Sequence, residues 1–513
     1  MNVIDIIDNY LLNNRKRILT VLLSSFIVGV LSHGSIMFNN YAFFDNADLF
    51  NIGCTYELGR WFLGVMTWMT MYVSGSLLYT TPLFNTIITI LSIAVICYLV
   101  IDLFNINKSI EIVIFCGLME AFPAVTSALG YMFTAPYYYF GLLIGVFGIY
   151  IYFKRKNLIT YIFAVVLLAC GAGTYQANMS LFVGILLLLT INNIANSSGS
   201  LKSFLLEVTK NGGLCILMLL VYLLCNKVAI FLTGIDLVSY KGTSEFMNVS
   251  FSEYLIRLTN AYKEFFVPVD CTSRNMYPFS LLKFYKILII IVVVLLIIFL
   301  SSKYKESLNK GLQLTFLCLF IPLACNFVYL MCDIEFVYSI MMYGETLIFI
   351  ILLYLINALT VNIKLYSYIK YCVYVLLIVF SVLYIKFDND CYLKADIIQN
   401  QIKSYITTLV TQIKSVDGYS DGMKICFVGE GNKTDLSIPY VENLDSIYIH
   451  PFHMNSLIYD YNFRRIMQRQ IGFYPERLES EDLENTAEVK DMPCYPNSGS
   501  IKIVNDVVVV KFS

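Results

Sequence analysis

Residues 284–300 read FYKILIIIVVVLLIIFL, and Lys303 and Lys305 follow closely. The helix of a soluble protein shows a polar face every turn, and from Ile287 to Leu300 there is none. About 20 apolar residues in a helix match the ~30 Å hydrocarbon core of a bilayer. This stretch therefore reads as a membrane span, and it sets the terms for the rest of the chain.

Working outward, comparable runs lie near 18–37, 83–101, 111–130, 137–153, 158–173, 176–191, 212–232, 312–331, 339–359 and 368–385. With 284–300 they predict about eleven transmembrane helices. The 513 residues are 58% hydrophobic and 14% charged, where soluble proteins carry about 25% charge. Mean hydropathy is +0.70. Disorder and an ordinary soluble enzyme are excluded. Net charge is −1, which leaves no electrostatic footprint for nucleic acid.

The charge is uneven. Residues 386–513 hold 31 of the charged side chains, about a quarter of that segment, and the other 385 residues share 40. The predicted organisation is a transmembrane module over 1–385 and a water-soluble C-terminal α/β domain over 386–513. The tail opens with a helical pattern at 393–416 and a strand at Lys424–Val428. Two further strands, Ser500–Val504 and Val507–Phe512, flank an Asn505-Asp506 turn. There is no internal repeat.

Basic residues set the direction. Arg15-Lys16-Arg17 precedes the first run, which reads as an uncleaved anchor. With that end cytoplasmic, Lys108, Lys154-Arg155-Lys156, Lys303, Lys305 and Lys370 also fall inside. An odd number of spans then puts the C-terminal domain outside. The segment 61–80 is apolar enough to cross, but crossing would invert every later loop. It reads as lying in, or re-entering, the outer interface, where Trp61, Trp68 and Tyr72 are at home. Two long outer segments result, 38–82 and 233–283.

The first of these carries Asp45 and Asp48, then Glu57-Leu58-Gly59-Arg60-Trp61. Two carboxylates three residues apart share a face if helical, and a carboxylate beside an apolar wall can serve as a general base. An arginine at the membrane surface can hold a phosphate through two hydrogen bonds. The plain alternative is a solvated acidic loop. Within the runs, Glu120 stands two residues before Phe122-Pro123, and an ionisable group in a span marks function by default. His450-Pro451-Phe452-His453 offers too few ligands for zinc. Tyr137-Tyr138-Tyr139 reads as core or interfacial aromatics.

Asp45-Asn46-Ala47-Asp48 with Glu57-Leu58-Gly59-Arg60-Trp61 resembles the first periplasmic loop of the GtrII-type glucosyltransferases, multi-pass enzymes of O-antigen modification. Gly173-Thr174-Tyr175-Gln176-Ala177 is similar to the same family, as is Met492-Pro493-Cys494-Tyr495-Pro496 in its Gram-positive members. The family often shows adjacent aspartates, and here Asn46-Ala47 separate them.

The resemblance implies a GT-C-like glycosyltransferase of the bacterial cell membrane. It would move a sugar, glucose or another hexose, from a polyprenyl-phosphate donor to a surface polysaccharide, with inversion. Asp45 is the favoured base, and Asp48 either supports it or takes its place. Glu57, Arg60, Trp61, Glu120, Tyr175 and Gln176 are expected to bind substrate, with Arg257 or Arg274 closing over the donor. No cofactor is expected, although two aspartates leave a Mg or Mn ion open. The competing class is a transporter or flippase of a lipid-linked sugar, which calls for repeats and broken helices.

Overall fold

The computed structural model describes residues 3–41, 55–75, 80–238, 249–268, 279–359, 364–429, 460–479 and 481–512, with Leu444, Ile447, Ile449, Pro451 and Phe452. Asp45, Asp48, Arg274 and the two histidines His450 and His453 lie outside these. Contacts divide the chain into two compact units, Met1–Asn39 with Ile52–Asn389, and Asn40–Asn51 with Asp390–Ser513.

The first unit is all helix. In order come α1 Val3–Phe38, α2 Trp61–Ser74, α3 Pro82–Leu103, α4 Ser109–Glu120, α5 Pro123–Leu129, α6 Ala135–Arg155, α7 Leu158–Thr174 and α8 Asn178–Ala195. Then follow α9 Leu201–Thr233, α10 Phe251–Phe266, α11 Phe279–Glu306, α12 Leu308–Cys318, α13 Ile321–Cys325, α14 Leu347–Ala358 and α15 Lys364–Lys414. Among the described residues nine helices are long and apolar enough to cross a membrane, or ten with α4 and α5 taken as one span bent by 41°. The eleventh run is α7, an apolar helix of 17 residues and the shortest of the set. The bend has a local cause: Pro123 at the start of α5 pushes the residue before it out of the helical region.

The segment at 61–80 forms α2, of 14 residues. That is about 21 Å at 1.5 Å per residue, too short to cross.

Where spans touch, small residues let them close up. A Cβ on Gly145 of α6 would lie 2.1 Å from the Phe182 ring of α8, and one on Gly171 of α7 would lie 2.7 Å from the Gly141 carbonyl oxygen. At one end of the bundle Arg17 and Lys154 both pair with Asp102, at 2.5 and 2.7 Å. Nearby in the chain, Lys108 and Lys370 both reach Glu111, each at 3.4 Å. Arg17, Lys154, Lys108 and Lys370 are thus gathered on two acidic residues, Asp102 and Glu111.

The second unit carries the later part of α15, a four-stranded sheet and α16 Asp460–Arg469. The strands β1 Lys424–Val428, β2 Arg477–Leu478, β3 Ile501–Val504 and β4 Val507–Lys511 run in the order β2-β1-β4-β3. β1 is parallel to β2 and β4, while β3 and β4 form an antiparallel hairpin with Val504 opposite Val507. All four valines Val507–Val510 are buried, as a strand paired on both edges and covered on both faces requires. The turn has φ 52° at Asn505 and 60° at Asp506, the left-handed pair of a type I′ hairpin. The expected mainly helical membrane protein with a small mixed C-terminal sheet is what the chain forms.

Within this unit Tyr41 stacks on Tyr392 at 6.4 Å. Gln399 Nε2 donates to the Asn40 carbonyl at 2.7 Å. The chain leading into the acidic segment is therefore held by the later part of α15.

Candidate functional site

The Glu57–Trp61 motif forms a compact corner. Tyr56–Leu58 makes one 3-10 turn, Gly59 takes φ 70°, and α2 starts at Trp61. Gly59 is required twice over. Its backbone is left-handed, which suits glycine, and a Cβ there would lie 2.8 Å from the Tyr222 hydroxyl. The corner is clasped from outside. Gln176 Nε2 donates to the Leu58 carbonyl at 2.6 Å, and the Tyr222 hydroxyl donates to the Gly59 carbonyl at 3.2 Å. Gln176 and Tyr222 are also 3.2 Å apart.

This clasp aims Arg60. Its Nη1 donates to the Tyr138 hydroxyl at 2.9 Å. Its guanidinium lies 5.7 Å from the Tyr138 ring centre and 5.3 Å from that of Tyr175. The two rings stack on each other at 4.3 Å. Both tyrosines are buried beside Leu63, so the cation–π attraction acts in a partly dry setting where it is strongest. Trp61 rests on bare backbone: a Cβ on Gly173 would fall 2.4 Å from its indole nitrogen. Asn178 ties this stack together, donating to the Gly171 carbonyl at 3.1 Å and the Tyr138 carbonyl at 3.4 Å.

Two sequence motifs far apart in the chain, Glu57–Trp61 and Gly173–Gln176, are thus one structure. The Glu57 carbonyl accepts from the Val238 amide at 3.0 Å, which brings the start of the 233–283 segment to the same corner. The positive end of the α2 dipole begins one residue after Arg60, so two sources of positive potential coincide, as an anion would need. Tyr56 packs under the corner against Gly64. Its partial burial raises the phenol above its ordinary range, which keeps it neutral.

The other sequence candidates lie elsewhere. Glu120 is fully buried at the end of α4, and His33 Nε2 donates to its backbone carbonyl at 3.0 Å. Two aromatic rings connect its surroundings to Tyr138. Tyr139 meets Tyr343 edge-on at 5.1 Å, and the Tyr343 hydroxyl donates to the Met119 carbonyl at 3.1 Å. Arg257 is buried on α10 and pairs with Asp333 at 2.8 Å and Glu253 at 3.4 Å. Among the described residues no three His, Cys, Asp or Glu side chains gather as metal ligands.

Sequence reasoning missed Tyr222 and Tyr138 as part of this site. Tyr222 had a signal. With Asn226 it puts two polar side chains one turn apart inside an apolar run, where such groups are expensive unless they have a task.

Set beside known proteins, residues 34–351 match the family model described as Glucosyl transferase GtrII. No curated protein and no solved structure matches the chain.

Proposed function

The chain belongs to the glucosyl transferase GtrII family, and from that premise we propose that this polytopic membrane protein moves a hexose from a polyprenyl-phosphate carrier to a surface glycan. The reaction is a direct displacement with inversion. The acceptor hydroxyl oxygen attacks the anomeric carbon and forms the new glycosidic bond. The bond from that carbon to the phosphate oxygen breaks, and its electron pair leaves with the lipid phosphate. The acceptor proton passes to a carboxylate, Asp45 in the favoured assignment and Asp48 in the alternative. The leaving phosphate is already a good leaving group, so charge stabilisation matters more than acid, and Arg60 supplies it.

The observation that carries this reading is the setting of Arg60. A cation is fixed by two stacked tyrosines, at the start of a short helix too short to span, beside a motif from a distant part of the chain. The direction of the chain follows from the basic residues, with the N-terminus cytoplasmic and the C-terminal unit outside a bacterial cell membrane. Tyr175, Gln176, Glu57 and Trp61 shape the donor site through Arg60.

The bent pair α4 and α5 with buried Glu120 is a feature that a transporter of lipid-linked sugar would share. The test separates the two readings. Membranes bearing the protein, given a labelled polyprenyl-phosphate hexose and an acceptor glycan, are expected to label the glycan. Asp45→Asn is expected to abolish labelling with insertion unchanged. Full activity in Asp45→Asn with a dead Asp48→Asn moves the base to Asp48. Full activity in both removes the mechanism.

A further inference from the structure

Helix α10 is built inside out by the rules of a water-facing helix. Two of its four charged residues face the protein, Arg257 and Glu264 at 2% and 6% exposed, while Glu253 is half-buried and Lys263, near the end of the helix, is exposed. Four of its large apolar residues face away: Phe251, Leu255, Ile256 and Phe266 are 79%, 48%, 59% and 43% exposed, while Phe265 is buried. Phe251, Leu255, Thr259 and Phe266 recur at helical spacing and form one stripe, with Arg257, Ala261 and Glu264 on the opposite side; Lys263 flanks the stripe in the last turn, where a long basic side chain can reach the headgroups.

The helix is pinned in this orientation along its length. Arg257 holds Asp333 through Nε and Nη2 at 3.1 and 2.8 Å. Asn326 Nδ2 donates to the Ala261 carbonyl at 3.0 Å, and the Tyr262 hydroxyl donates to the Leu319 carbonyl at 2.7 Å. The Tyr285 hydroxyl reaches the Phe265 carbonyl at 3.2 Å. Rotation of α10 to hide its apolar stripe would break all four.

We infer that α10 is a membrane-embedded helix that does not cross, with its apolar stripe against the lipid of one leaflet and Arg257 as the pin that keeps its polar side on the protein. Its 16 residues measure about 24 Å, short of the ~30 Å core. The occupant of the stripe is lipid because the surface continues into a span. Leu319, which Tyr262 contacts, is 60% exposed, and Leu312 and Phe316 on α12 are exposed beside it. An amphipathic helix at a boundary binds through its apolar area in this way. This inference uses no step of the sugar transfer.

The chain has two tryptophans, Trp61 and Trp68, so added ones can be read by fluorescence. In a Trp68→Phe background, Leu255→Trp and Thr259→Trp are reconstituted in vesicles of brominated phosphatidylcholine, with Ile290→Trp on the span α11 as reference. Both α10 reporters are expected to lose fluorescence to the brominated lipid as the reference does, and to be shielded from aqueous iodide. Adding Arg257→Ala is expected to weaken that lipid quenching. Quenching by iodide and not by lipid places the stripe in water and overturns the inference. Quenching by neither places it under protein, a second copy included, and also overturns it. Unchanged quenching in Arg257→Ala removes the pin.

Discussion

The working element of the proposed site is a guanidinium whose position is fixed by groups that do not react. Arg60 touches Tyr138 and Tyr175, while Gln176 and Tyr222 hold the carbonyls of Leu58 and Gly59 just before it. Arg60→Lys keeps the charge and loses the planar contact with two rings. It is expected to lower kcat/KM at least about tenfold, or ~1.4 kcal/mol, with most of the change in use of the donor. Tyr222→Phe removes two hydrogen bonds of the clasp, to the Gly59 carbonyl and from Gln176, of which the first holds the corner and is worth about 1 kcal/mol. It is expected to cost about fivefold in kcat/KM with expression unchanged, and a parent-like value would show that the clasp is idle. Gly59→Ala meets both a left-handed backbone and the Tyr222 hydroxyl, and a larger loss is expected, read in the same assay.

At the scale of elements, hydropathy was a good guide to spans and a poor one to what happens between them. The runs at 18–37 and 284–300 correspond to α1 and α11 because an unbroken apolar stretch has few other solutions in water or lipid. The bend after Glu120 was marked by Pro123. The role proposed for Arg60 was suggested by its likeness to a family motif, since spacing alone allowed a solvated loop. Tyr222 was hidden because a tyrosine in an apolar run is ordinarily a packing residue. The two-residue strand β2 carries no period at all and is set by pairing with β1. The hairpin was plain from Asn505-Asp506. There Asp506→Val puts a β-branched side chain at φ 60° and is expected to destabilise the C-terminal unit by about 1–2 kcal/mol, seen as a lower Tm, while Asp506→Gly is expected to leave Tm unchanged or raise it.

For the whole molecule, the membrane class was legible in composition, and the split of charge between 1–385 and 386–513 suggested a water-soluble tail. The sequence boundary at 385 falls inside α15, a helix of 51 residues. The charges Lys386, Asp388 and Asp390 end the apolar run without ending the helix, because all three residues tolerate helical backbone. Orientation is testable directly. Alkaline phosphatase fused after Phe512 is expected to be active, and a green fluorescent protein at the same place dark; the reverse result inverts every loop assignment. Tyr392 and Gln399 hold Tyr41 and Asn40, and the proposed base follows them in the chain, so a contribution of this contact to catalysis can be tested. Tyr392→Ala is expected to lower kcat about tenfold, or ~1.4 kcal/mol, while Tyr392→Phe, which keeps the stacked ring, is expected to stay near parent activity.

The glycines at the contact of α6, α7 and α8 also constrain how this chain can drift. Any single-nucleotide missense change in a glycine codon adds a side chain, so mutation at these sites can only enlarge. At Gly145 and Gly171 the added atom would meet the Phe182 ring, and at Gly171 also the Gly141 backbone, leaving no neutral first step. Lineages carrying this protein should vary freely on the lipid-facing surfaces of the same helices and stand still along that seam, so an inherited change there would be expected only alongside a smaller partner at Phe182.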